Sequence, residues 1–172
     1  MTLDELNGLD RDGFVAALGA VYEHSPWVAD DVAPLRPFAG IDELHAAMSK
    51  AVVDAGEDAQ LTLLRAHPQL AGKAALRGEL TADSTREQHG AGLDQCSPEE
   101  FAQLHALNAQ YEQRFGFPFI LAVRGHTRTS ILANLAARID NPRDDEFAEA
   151  LHQVDRIARF RLEAVLSNRR AQ

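Results

Sequence analysis

Ser97-Pro98-Glu99-Glu100-Phe101-Ala102-Gln103-Leu104-His105-Ala106-Leu107-Asn108-Ala109-Gln110-Tyr111 is the stretch that decides the fold class. Ser97 and Glu100 have capping-box spacing: the hydroxyl accepts from the third helical amide while the carboxylate reaches back to the cap's own N–H. Phe101, Leu104, Leu107, Asn108 and Tyr111 then recur at helical spacing, so a long helix opens at Pro98. Past Gly116, Phe117-Pro118-Phe119-Ile120-Leu121-Ala122-Val123 is apolar, lacks a helical period and contains a proline, which predicts buried extended chain. Thr127 through Arg138 reads as a helix, and Asn141-Pro142, a cap followed by proline, introduces another that runs to about Leu166. Upstream, Asp10 caps a helix whose stripe is Phe14, Val15, Leu18 and Val21, and Pro26 suits a first helical turn. Pro34-Leu35-Arg36-Pro37-Phe38 reads as a connector. Ile41, Leu44, His45, Met48 and Val52 form a further helical stripe, and Leu61, Leu63 and Leu64 a short helix ending near Arg65. The expected architecture is all-α, an irregular helical bundle with one short extended segment near 117–123.

The chain has 172 residues, and the expectation is one domain spanning 1–172. A hydrophobic share of 45% with 25% charged residues excludes wholesale disorder and fibrous repeats. Seventeen Lys and Arg against 26 Asp and Glu leave a formal charge of −9, which repels phosphate backbones and anionic lipid. Neither nucleic acid nor membrane is an expected partner. The lone Cys96 cannot make an internal disulfide or supply paired thiolates to zinc, which fits a reducing compartment. Met1-Thr2-Leu3-Asp4-Glu5 lacks a basic n-region, and Asn168-Arg169-Arg170-Ala171-Gln172 is no peroxisomal signal, so the expected location is cytoplasmic.

His67-Pro68 is the first place where chemistry could sit. Proline biases the preceding residue away from the helical region and can itself start the next helix, which sets His67 at an interhelix corner. Such a histidine can pack or cap, or it can act as an acid or base once it has a partner. Asp83-Ser84-Thr85-Arg86-Glu87-Gln88 offers that partner. Ser84-x-x-Glu87 also has capping-box spacing, so from local sequence Glu87 reads first as a structural cap, and alternatively as a carboxylate that fixes a histidine's tautomer, or as both. Ser84 and Gln88, four apart, share one helical face. Gly90-Ala91-Gly92-Leu93 ends the helix.

Several blocks of this sequence, in order, resemble the OHCU (2-oxo-4-hydroxy-4-carboxy-5-ureidoimidazoline) decarboxylase family. They are Tyr22 to Val28, His67 to Ala75, Leu80 to Gln88, Gly90 to Leu93, Phe101 to Asn108 with Tyr111, Arg114 to Ile120, and Val123 to His126. The likeness runs from about Phe14 to Leu162. It implies a carboxy-lyase of urate and purine catabolism that converts a small ureidoimidazoline into (S)-allantoin without cofactor or metal. It implies His67 and Glu87 as the catalytic pair, and Ser84, Gln88 and the basic Arg161 as substrate-binding positions. Pro68 and the run Phe119, Ile120, Leu121, Ala122 and Val123 fall on segments lining the pocket. It is compatible with a monomer or a homodimer. His89 departs from the resemblance, standing where a small residue is expected.

Two other readings compete. Seven histidines raise a metal hydrolase, but they are scattered without an H-E-x-x-H cluster. A noncatalytic ureide-binding module would use the same helices with His67 and Glu87 as a capped corner. Arg161 has its own alternative, a surface ion pair on the last helix.

Overall fold

The structure is a computed structural model that describes residues 1–167, with Lys73 and Ala74 described through their backbone only. The C-terminal Asn168-Arg169-Arg170-Ala171-Gln172, read above for a targeting signal, lies outside the described residues. Among the described residues there are helices and two 3-10 turns and no strand, so the architecture is all-α. No described helix is long and apolar enough to cross a membrane. The chain forms two compact units, one of Met1–Ala66 with the chain from Asp155 onward, the other of His67–Val154.

In the first unit, α1 (Leu3–Asn7) was not evident in the sequence, being too short to show a period. It forms because Thr2 and Glu5 make a complete capping box. Asn7 then clasps the connector by bonding both ways to Phe38, each at 2.9 Å. Asp10 caps α2 (Arg11–Leu18) by accepting from the Gly13 amide at 2.8 Å. Helix α3 (Trp27–Val32) starts directly after Pro26, and the expected connector contains a 3-10 turn over Ala33–Leu35. The two core helices follow as α4 (Ile41–Asp54) and α5 (Glu57–Ala66). Phe14, Leu18, Leu44, Met48, Leu63 and Leu162 are buried here, each stabilising the unit by roughly 1.5–3 kcal/mol through loss of apolar contact with water.

In the second unit, α6 (Lys73–Leu76) begins five residues after Pro68, so that proline does not start the next helix itself. Helix α7 (Ala82–Gly90) corrects a second expectation. Its cap is Thr81, in extended geometry, whose hydroxyl accepts from Ser84 N–H at 3.3 Å. Ser84 is therefore the third helical residue, and Ser84-x-x-Glu87 is not a capping box. Helix α8 (Pro98–Phe115) carries the capping box expected at Ser97 and Glu100 and ends on Gly116, whose φ of 78° glycine adopts without strain. The segment 117–123 is non-helical and buried throughout. Thr127 caps α9 (Arg128–Arg138), and α10 (Arg143–Ser167) follows. Tyr111 anchors an aromatic cluster, with Phe115, Phe117 and Phe119 at 4.6, 6.0 and 5.4 Å between ring centres.

Candidate functional site

The loop from His67 to Gly72 is bound to its surroundings by its own backbone. Ala71 N–H donates to Gln88 Oε1 at 2.9 Å, and Leu70 C=O accepts from Asn108 Nδ2 at 2.9 Å. Gln69 Nε2 adds a bond to the Glu112 carboxylate. Ala71 has φ of 49°, in the left-handed region where a side chain is strained, so the Gln88 bond holds a conformation the residue would otherwise leave. Gly72 packs so tightly that an added Cβ would meet Gln69 Cβ at 2.7 Å. His67, directly after α5, is 7% exposed at the head of this loop, and Pro68 is half-buried.

With the capping role of Ser84 and Glu87 removed, α7 presents Ser84, Glu87 and Gln88 at the i, i+3, i+4 spacing of one face. Ser84 and Gln88 are buried and Glu87 is half-buried. His67 and Glu87 thus stand in one unit, on segments joined by the Gln88–Ala71 bond. Phe119, Ile120, Leu121, Ala122 and Val123 belong to the same unit and are each at least 95% buried. Arg138 Nη1 donates to Ile120 C=O at 2.7 Å, and Ala122 N–H donates to Gln153 Oε1 at 3.0 Å.

Arg161 belongs to the first unit and is not a surface residue. It is 5% exposed, and its Nη1 lies 2.6 Å from the Glu23 carboxylate, itself 1% exposed, and 3.2 Å from Ala20 C=O. Burial overturns the surface-pair alternative, because an exposed pair would be hydrated. His89 is exposed, with Nδ1 2.7 Å from the Asp94 carboxylate. It lines a cavity of about 640 Å³ together with Ala71, Thr85, Gln88, Leu93, Cys96 and Phe101, so the cavity reaches the Gln88–Ala71 contact.

Sequence reasoning passed over Glu23, Asn108, Arg138, Glu146 and Gln153. Asn108 had a visible signal, a lone amide in the apolar stripe of α8, and it is 2% exposed. Gln153 had the same signal beside Ala150, Val154 and Ile157.

A buried imidazole and a half-buried carboxylate on joined segments are equipment for acid/base chemistry on a small polar ligand, in a helical scaffold with no Gly-rich phosphate loop. The family model for OHCU decarboxylase matches residues 7–163. A 2-oxo-4-hydroxy-4-carboxy-5-ureidoimidazoline decarboxylase of Haloferax volcanii is 45% identical over 162 residues, 94% of each chain. The uric acid degradation bifunctional protein PucL of Bacillus subtilis is 41% identical over 98% of this chain and 33% of its own. A crystal structure of (S)-allantoin synthase matches with a TM-score of 0.79 at 31% identity, over 96% of this chain and 54% of that one. The chain belongs to the OHCU decarboxylase family.

Proposed function

We propose that this protein is a carboxy-lyase that decarboxylates 2-oxo-4-hydroxy-4-carboxy-5-ureidoimidazoline to (S)-allantoin in urate breakdown. The observation that carries this is the 45% identity, over 94% of both chains, to a relative named for that decarboxylation. The substrate carries a hydroxyl and a carboxylate on one ring carbon, beside a carbon–nitrogen double bond. As the carbon–carboxylate bond breaks, its electron pair forms a carbon–carbon double bond and the former imine nitrogen takes up the displaced pair and a proton. The ring is its own electron sink, so the step needs no added group to hold the electrons.

The resulting enol must lose its hydroxyl proton and gain one at the neighbouring carbon. In our reading His67 accepts the hydroxyl proton, Glu87 fixes the imidazole's tautomer and raises its basicity, and delivery to one face of the carbon sets the product's hand. Burial of His67 supports this, because a base shielded from water does not exchange its proton with solvent between steps. The cap of α7 is Thr81, so Glu87 is not assigned to capping that helix.

The test generates the unstable substrate from urate in situ, adds the protein, and follows optical activity by circular dichroism. (S)-Allantoin forming faster than racemic background is the expected result. Racemic product at the spontaneous rate refutes the activity and leaves a noncatalytic ureide-binding module.

A further inference from the structure

The buried segment 119–123 has a feature that follows from peptide geometry alone. A trans peptide is planar, with its C=O and N–H pointing in opposite directions. The only cis peptide among the described residues is Arg36–Pro37, so both peptides flanking Leu121 are trans. Arg138 takes the Ile120 C=O, which aims the Leu121 N–H of that same peptide directly away from Arg138. Gln153 takes the Ala122 N–H, which aims the Leu121 C=O of the next peptide away from Gln153. Two side chains on different helices thus fix one donor and one acceptor on a single residue. Leu121 is 4% exposed, and neither of its backbone groups has a hydrogen-bond partner among the described residues. A buried N–H and C=O left in that state are costly unless a ligand or water pairs with them.

Both side chains are themselves restrained. Arg138 Nε donates to Glu146 Oε1 at 2.6 Å, the same oxygen accepts from Tyr111 Oη at 2.6 Å, and Asn141 Nδ2 donates to Glu146 Oε2 at 3.0 Å. Burial, with the Glu146 carboxylate second, pushes the Tyr111 phenol well above its ordinary range, so it stays a donor. The Arg138 guanidinium also stacks over Phe119 at 4.5 Å from the ring centre. Gln153 Nε2 donates to Glu149 Oε1 at 2.6 Å, which settles which end of the amide faces Ala122.

We propose that Arg138 and Gln153 are positioning residues whose bonds to Ile120 and Ala122 aim the Leu121 N–H and C=O at the amide groups of the substrate. This rests on the proposed decarboxylation. A ureide offers a carbonyl and an N–H on adjacent atoms, the complement of that pair. Arg138 and Gln153 touch only the far edge of the peptides and act through them.

The test compares Gln153→Met, which removes the acceptor, and Gln153→Asn, which withdraws it by one methylene, with the exchange pair Gln153→Glu with Glu149→Gln. The exchange pair restores an acceptor for Ala122 and a donor between the two side chains. Expected for both single variants is a KM, and a competitive Ki for added (S)-allantoin, raised about tenfold, the factor a misdirected hydrogen bond is worth, with kcat within about threefold. The exchange pair returns both constants to within about threefold of the parent. Melting curves and the folded fraction are measured alongside, and if Gln153→Met fails to fold, Gln153→Asn against the exchange pair decides. An unchanged KM and Ki in the folded single variants, or a kcat that falls only in step with the folded fraction, overturns the proposal. If the parent shows no acceleration in the same assay, the decarboxylase reading has failed rather than the positioning one.

Discussion

Replacing Gln88 by Leu tests whether one buried amide sets the shape of the loop that carries His67. The substitution keeps side-chain volume close to constant but removes the acceptor for Ala71 N–H, which belongs to a residue only 8% exposed. A buried donor left unpaired costs about 1–3 kcal/mol. Ala71, at φ of 49°, holds a left-handed conformation that costs roughly 1–2 kcal/mol, so once the bond is cut the loop regains that strain energy by moving. We therefore expect the net loss near the lower end, about 1–2 kcal/mol, which for a chain of this length lowers Tm by about 2–8 °C. Movement of the loop also displaces His67, and kcat falls by about 10- to 100-fold, the range that a misplacement near 1 Å produces. Adding Ala71→Gly separates geometry from contact: glycine keeps the positive φ without the bond, so the double variant regains part of the lost kcat. Thermal melts by circular dichroism and initial rates on substrate made in situ are the assays. A Gln88→Leu protein melting within about 1 °C of the parent, with kcat within about twofold, refutes the reasoning.

Other consequences are local to the first unit. Glu23→Ala removes the carboxylate 2.6 Å from the Arg161 guanidinium, itself 5% exposed, and breaking a buried ion pair costs about 3–5 kcal/mol; denaturant melts should show a loss of that order, and a loss below about 1 kcal/mol contradicts the buried pair. His45 Nε2 lies 3.0 Å from the Asp155 carboxylate, whose hydrogen bond, opposed by burial, raises the imidazole above its ordinary pKa. The protonated form is thus favoured by folding, so this stability is fully present below the unfolded pKa near 6.5 and is lost as pH rises through the folded value. His45→Gln should lower Tm more at pH about 5.5 than at about 9; an equal difference at both removes the pair from the account.

How far the sequence reveals this depends on whether each feature is local. Periodicity and capping chemistry act within a few residues, and the helices opened by Asp10, Ser97 and Thr127 stand where those signals place them. The aperiodic apolar run with Pro118 is likewise the buried non-helical segment expected. The Ser84-x-x-Glu87 spacing misled because two hydroxyls, Thr81 and Ser84, compete for one cap, and only the backbone shows that Thr81 has the extended geometry. Short helices such as α1 and α6 carry no period to read. Long-range partners are invisible for a different reason. Glu23 and Arg161 are separated by 138 residues, and Ala122 and Gln153 by 31, so no spacing rule connects them. His67, Glu87, Ser84 and Gln88 could be singled out because their residue types are chemically marked. Arg138 could not, because it bonds a backbone group that every residue has, and Gln153 is marked only as a lone amide in an apolar stripe, a signal that does not name its partner.

The central claim is that an imidazole at position 67 moves the protons of a decarboxylation. The measurement is the rate of (S)-allantoin formation from substrate generated in situ, for the parent and for His67→Asn, with folding of the variant checked by circular dichroism. Loss of general acid/base help is worth about 10²–10⁴-fold, so the account predicts a folded His67→Asn protein slower by at least about 100-fold. A folded variant that makes optically active allantoin at the parent's rate contradicts it.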